Sequence, residues 1–187
     1  MNDLALVASL FAPLFVGLVF HGVCIRKGWL LALAIPIDRG VRLRGRPLFG
    51  RNKTWRGVVA VALGAAAGYS LQRLAPGLQP PAFRELSALE TAALGIAIGA
   101  VAMASELLNS LLKRQLDVAP GSAGTGAGAA FFYLFDQVDF LIGAWLAVWP
   151  WVEPTLPRIV WSVAFVAVVH QGISFFGARL GMRASGR

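Results

Sequence analysis

Five long apolar stretches alternate with polar connections along the 187-residue chain: Leu4 to Ile25, Val58 to Leu74, Leu89 to Leu112, Ala129 to Trp149 and Ile159 to Phe176. Each is close to the roughly 20 residues needed to cross a hydrocarbon core. A shorter apolar run, Trp29 to Ile37, cannot span and carries Pro36, so it is expected to form an interfacial or re-entrant piece. The pattern predicts an all-α integral membrane bundle of five transmembrane helices, a single domain over 1–187. Gly64/Gly68, Gly95/Gly99 and Gly177/Gly181 have the small-xxx-small spacing that lets helix backbones approach, within one bundle or between the subunits of a homo-oligomer.

Composition agrees with a membrane protein. Hydrophobic residues make up 57%, mean hydropathy is +0.68, and only 14% of residues are charged, against about 25% in an average soluble domain. Met1-Asn2-Asp3 lacks the positive start of a cleavable signal, so the first helix is expected to stay. Cys24 is the single cysteine, which excludes an intrachain disulfide and a cysteine metal cluster.

Charge orients the bundle. Of seventeen Lys and Arg, fourteen fall in the 26–56 connection, at Lys113 and Arg114, or in the tail at Arg179, Arg183 and Arg187; only Arg73, Arg84 and Arg158 fall on the other side. The positive-inside rule then puts the N-terminus outside, and loops 26–56 and 113–128 and the C-terminus in the cytoplasm. Trp145, Trp149, Trp151 and Trp161 are expected as an outer aromatic belt.

The candidate chemistry lies in Phe135-Asp136-Gln137-Val138-Asp139-Phe140, two carboxylates three residues apart in a run otherwise fit for lipid. One charge at mid-helix costs about 2.5 to 3.5 kcal/mol on insertion scales, so a pair calls for compensation. On a helix both can face one cation or phosphate-bearing ligand; the other reading is helix-start aspartates wetted at the interface. Glu106, Asn109, Ser110 and Lys113 form a polar stripe at helical spacing at comparable depth. Glu106 is expected either as a third ligand, or as a charge neutralised by Lys113 or protonated by burial. Oxygen ligands beside cations suit Mg²⁺ held by one or two carboxylates plus substrate phosphates, and clustered His or Cys for zinc are missing. His21 and His170 stand singly on apolar helices, where packing roles are expected.

Arg46-Pro-Leu-Phe-Gly-Arg-Asn-Lys-Thr-Trp-Arg-Gly57 sets glycines, a threonine and four cations just before a helix. That arrangement suits a polyphosphate, or else topology and headgroup anchoring. It is not a P-loop, because the Gly-x-x-x-x-Gly-Lys spacing is absent.

Three blocks resemble one family. Pro36-Ile-Asp38-Arg-Gly40 with the 46–57 stretch, Ser110-Leu-Leu-Lys-Arg114 with Phe135 to Phe140, and more weakly His170 to Met182, are similar to the CDP-archaeol synthases, relatives of the bacterial CDP-diacylglycerol synthases. The resemblance implies five membrane helices in the cell membrane and Mg²⁺-dependent transfer of a cytidylyl group from CTP to a lipid phosphate, with an active site facing the cytoplasm. The product is a CDP-archaeol or CDP-diacylglycerol type lipid, released with pyrophosphate. The implied partners are CTP, the lipid phosphate and the bilayer, not nucleic acid. It makes Asp136 and Asp139 metal ligands and catalytic residues. Glu106 stands where the family's aspartate is expected, with Lys113 acting on the phosphates. Lys53, Thr54, Arg56, Asn109, Ser110 and Arg114 would bind substrate. The glycine-rich loop from Val118 to Phe135 departs from the family pattern. Two other classes compete with this reading: a small carrier or channel for anionic solutes using the buried acids, and a CDP-alcohol type transferase, whose longer aspartate signature is missing.

Overall fold

A computed structural model describes residues 1–119 and 127–179. The central part of the 113–128 loop, Arg183, Arg187, and the ends of the Gly177/Gly181 pair and the His170 to Met182 block lie outside the described residues. Five long helices form: α1 (Asp3–Lys27), α2 (Trp55–Gln72), α3 (Ala88–Gln115), α4 (Ala127–Val148) and α5 (Leu156–Arg179). Helices α1, α2, α3 and α4 pack in sequence order, and α5 returns against α1 and, more lightly, α4. Among the described residues, α1 and α3 are long and apolar enough to cross a bilayer alone. Gly128–Asp136 and Val138–Val148, bent by 44°, make a third span if taken together. Helix α2 has 18 residues, about 27 Å at 1.5 Å per residue.

Local chemistry sets the helix ends. The Asn2 side chain accepts from Ala5 N at 2.8 Å. Gly28, at φ 66°, closes α1 with Trp29 N reaching back to the Cys24 carbonyl at 2.9 Å, a Schellman-type end that favours glycine. Ser87 and Glu90 cap α3 reciprocally. Pro13 inside α1 cannot donate to the Ser9 carbonyl. Gln72 Nε2 from α2 takes that freed oxygen at 2.8 Å, so a backbone group without water still has a partner.

The glycine stripes act inside the bundle. A Cβ on Gly64 would sit 2.6 Å from Gly17 Cα, and one on Gly99 2.7 Å from Ala62 Cα. The α1–α2 and α2–α3 seams therefore need bare backbone, and these stripes are already spent on intrachain packing. Trp145 departs from the expected belt: it is buried against Phe11, ring centroids 5.4 Å apart and edge-on, and its Nε1 donates to Ser162 Oγ at 3.1 Å. An indole with an internal acceptor can leave the interface. Trp149, Trp151 and Trp161 are exposed.

The 28–54 connection, expected as a cytoplasmic loop with an interfacial piece, carries a little regular structure of its own. Beyond a short 3₁₀ turn at Leu31–Leu33 it makes a two-stranded hairpin, β1 (Arg42–Leu43) with β2 (Arg46–Pro47). Arg44 and Gly45 both have positive φ, as a tight two-residue hairpin turn requires. Pro36 bridges Thr54, with Ile37 N donating to Lys53 O at 2.9 Å and Trp55 N to Ile35 O at 3.1 Å. The expected interfacial piece is thus tied to the start of α2. Arg158 Nε contacts Asp3 Oδ1 at 3.0 Å, which joins the starts of α1 and α5 at one end. The hairpin connection lies at the opposite end, with the close of α3 and the start of α4.

Candidate active site

At that second end a cavity of about 340 Å³ is lined by three elements. The 28–54 connection contributes Phe49, Gly50, Asn52 and Lys53. One stripe of α3 contributes Glu106, Asn109, Ser110, Lys113 and Arg114, and α4 contributes Asp136 and Asp139. Helical spacing makes each set coherent: residues three, four and seven apart share a face.

The carboxylates and cations are paired across elements. Asn109 Nδ2 donates to Asp136 Oδ1 and to Asp139 Oδ2, both at 2.7 Å. Lys113 Nζ bonds Asp136 Oδ2 and lies 5.6 Å over the Phe132 ring. Lys53 Nζ meets Glu106 Oε1 at 2.5 Å. Arg114 donates to the Val118 carbonyl. Asn109, Ser110, Lys113, Arg114 and Asp139 are all buried, which charges tolerate only when matched.

The structure therefore brings together Lys53, Glu106, Asn109, Ser110, Lys113, Arg114, Asp136 and Asp139. It does not bring in Thr54 or Arg56. Thr54 is the residue before α2, bridged through its backbone to Pro36, and Arg56 lies one residue into that helix with a buried Nε that lacks a hydrogen-bond partner. Glu106 departs from the pairing expected for it: its partner is Lys53 rather than Lys113, although it lines the same cavity as the two aspartates. The reason is tertiary, since the connection folds Lys53 onto the face of α3 while α4 claims Lys113. Among the described residues no group of three or more His, Cys, Asp and Glu could hold a metal ion. The oxygen set nonetheless fits a hard cation that also binds substrate. Because Nδ2 must face the two carboxylates, Asn109 Oδ1 is left buried with no hydrogen-bond partner. Two carboxylates brought onto one amide, in a cavity whose cations can hold phosphates, are chemistry suited to Mg²⁺ completed by phosphates and water.

One residue central to this geometry carried no role in the sequence reading. Asp38 is 7% exposed and accepts from Gly40 N at 3.0 Å, Phe49 N at 2.9 Å and Gly50 N at 3.0 Å. It folds the connection so that Phe49, Gly50 and Lys53 face the cavity. Burial acts to raise its pKa, but these backbone donors outweigh burial and hold it below the ordinary carboxylate value. The Asp-x-Gly spacing of 38–40 is the available signal, since aspartate bonds its own backbone two residues on. A second clamp went unforeseen: Arg46 on β2 donates to the Gln115 carbonyl and to Asp117. It ties the hairpin to the end of α3. His21 packs on Gly57, where a Cβ would come within 3.3 Å of the ring.

Comparison with known proteins points the same way. A family model described as CarS-like CDP-archaeol synthase matches residues 10–185. The chain is similar to a CDP-archaeol synthase of Halobacterium salinarum, 38% identical over 143 residues that cover 72% of this chain and 74% of that one. It is also similar to one of Thermococcus onnurineus, 30% identical over 151 residues, covering 80% and 81%. A solved structure described as an intramembrane enzyme for archaeal membrane lipids biosynthesis superposes with TM-score 0.66 at 25% identity, covering 90% of this chain and 92% of that one.

Proposed function

We infer the function from one premise: this chain belongs to the CDP-archaeol synthase family. It is a CTP-dependent cytidylyltransferase acting on a lipid phosphate. The proposed lipid is the archaeol type, with ether-linked isoprenoid tails, because both relatives compared above are CDP-archaeol synthases. The diacylglycerol type has less support. The proposed reaction is CTP plus the lipid phosphate giving CDP-archaeol and pyrophosphate.

The observation that carries the site assignment is the Asp136–Asn109–Asp139 bridge facing Lys53, Lys113 and Arg114 in one cavity. In the proposed step a phosphate oxygen of the lipid attacks the α-phosphorus of CTP in line, and the bond to the pyrophosphate oxygen breaks. No protein nucleophile is needed, so the chain's task is positioning and charge stabilisation. Lys113 is held by Asp136 and the Phe132 ring, and Arg114 by the Val118 carbonyl. Cations already oriented can screen the phosphates and the leaving pyrophosphate with little reorganisation. Lys53 approaches from the connection, and Asn109 and Ser110 supply polar contacts to substrate. Asp136 and Asp139 would hold Mg²⁺, which when bound supplies Lewis-acid neutralisation of the phosphate oxygens.

The proposed topology has five crossings of the cell membrane, with the cavity at the cytoplasmic end where CTP is found. The lopsided distribution of Lys and Arg supports it. The test is to incubate purified protein in detergent with CTP, Mg²⁺ and either an archaeol-type or a diacyl lipid phosphate. Pyrophosphate released in step with CDP-lipid, faster with the archaeol type, is expected. Solute movement in vesicles without pyrophosphate release would instead favour a carrier.

A further inference from the structure

The connection between α1 and α2 turns an apolar ridge outward. Trp29, Leu31 and Ile35 are exposed, and so is Trp55, whose backbone N–H donates to the Ile35 carbonyl at 3.1 Å. The ridge begins two residues after α1 ends, and the Trp29 ring lies 6.4 Å from that of Phe20 on α1. It is therefore level with the end of a membrane helix, the depth at which tryptophans favour the headgroup boundary. Charge around it has one sign. Arg39, Arg42, Arg44 and Arg51 are exposed and meet no carboxylate among the described residues. Asp38, the single acid of the connection, is buried with both oxygens on backbone donors.

Beside the ridge a cavity of about 780 Å³ opens at Pro36 and is lined by Asp38, Arg42, Pro47 and Arg51. The hairpin sets its direction. Arg42 pairs with Pro47 across the strands and Leu43 with Arg46, and neighbouring positions of a strand point to opposite faces. Arg46 reaches the end of α3, so Arg42 faces the other way. Arg42 bonds only the Gly45 carbonyl, at 3.3 Å, and Arg51 has no hydrogen-bond partner among the described residues. Two open guanidinium forks suit a phosphate, and an apolar ridge next to them suits a phosphate carried by a lipid.

We propose that this cavity and ridge bind an anionic lipid of the cytoplasmic leaflet, separate from the lipid phosphate that reacts, and that its binding steadies the loop carrying Lys53. This placement rests on the membrane topology proposed above. Gly50 and Asn52 line both this cavity and the catalytic one, and Ile37 N holds the Lys53 carbonyl at 2.9 Å. A headgroup that orders one side of the 49–53 segment therefore orders the other.

The test reconstitutes the full chain in vesicles of phosphatidylcholine, with or without phosphatidylglycerol, at a fixed low content of archaeol-type phosphate, and measures KM for CTP. Phosphatidylglycerol is expected to lower KM by about fivefold or more in wild type and to leave it unchanged in Arg42→Gln/Arg51→Gln, which should match wild type in phosphatidylcholine. Soluble glycerol phosphate, the headgroup chemistry without a tail, is expected to have no effect; if it lowers KM as the lipid does, a free-anion site replaces the lipid site. An equal response to phosphatidylglycerol in wild type and variant would overturn the proposal too, since general surface charge would then account for it. A bimane on Leu31→Cys reads docking without turnover, and Cys24 is buried, so the introduced thiol is the one labelled. Its emission is expected to shift to the blue in the bilayer and to be quenched by spin labels near the lipid headgroups. Emission typical of water, or quenching that requires a second labelled copy, would show the ridge to lie outside the leaflet. Wild type without turnover in any vesicle would sink the proposed reaction, and the dye would still decide whether the ridge docks.

Discussion

Replacing Asp38 by alanine should disable CTP handling while leaving the helix bundle intact. The side chain accepts three backbone N–H groups, from Gly40, Phe49 and Gly50, at 2.9 to 3.0 Å, and each bond to a charged acceptor is worth about 1.5 to 3 kcal/mol. The sum bounds the loss at about 4.5 to 9 kcal/mol, but a surface connection can turn its freed N–H groups to water, so about 2 to 4 kcal/mol is expected. All three donors lie in the connection itself, so the loss falls on the loop carrying Phe49, Gly50 and Lys53 rather than on the helix seams. A penalty of 2 kcal/mol corresponds to roughly thirty-fold in an equilibrium constant. KM for CTP should therefore rise by about tenfold or more, with a smaller fall in kcat and thermal unfolding in detergent nearly unchanged. The pH response has a definite sign. Because the folded carboxylate titrates below its ordinary value, its stabilisation is fully present above about pH 4. It is lost as pH falls through the lower folded value. Wild type should show an acid limb in KM for CTP that Asp38→Ala lacks. A variant with wild-type KM across that range would refute the assignment of Asp38 as the anchor of the loop.

Other perturbations probe other parts of the molecule. Asp136→Asn and Asp139→Asn should each cut kcat by about two orders of magnitude or more while the protein still purifies folded; near-normal pyrophosphate release would remove the metal assignment. Lys53→Met should destabilise the cavity by leaving Glu106 without its partner, and adding Glu106→Gln should restore thermal stability but not turnover. Additive effects in that double-mutant cycle would mean the pair is not coupled. Gly143→Ala should cost about 1 to 3 kcal/mol, because the new Cβ would lie 2.4 Å from the Val101 carbonyl oxygen and 2.5 Å from Ser105 Oγ. An unchanged unfolding temperature would show that the α3–α4 seam can open there.

What the linear chain determines is local. Apolar runs of the right length foretell the helices, and the 3.6-residue repeat puts Glu106, Asn109, Ser110 and Lys113 on one face and Asp136 with Asp139 on another. The cost of burying those carboxylates in an apolar run marks them for function before any coordinates are known. The three-dimensional fold decides the partnerships. Lys53 rather than Lys113 meets Glu106, and Asn109 bridges the two aspartates, because two helices and a folded connection converge from points as far apart as 53 and 139. The same holds for Trp145, which turns inward because α5 offers Ser162 as an acceptor, and for Thr54 and Arg56, which adjoin Lys53 in the chain yet stay outside the cavity. Spacing along a chain fixes which side chains share a face of one element. Which faces meet is set by how closely bare glycine backbones let the helices approach, and that depends on residues far apart in sequence.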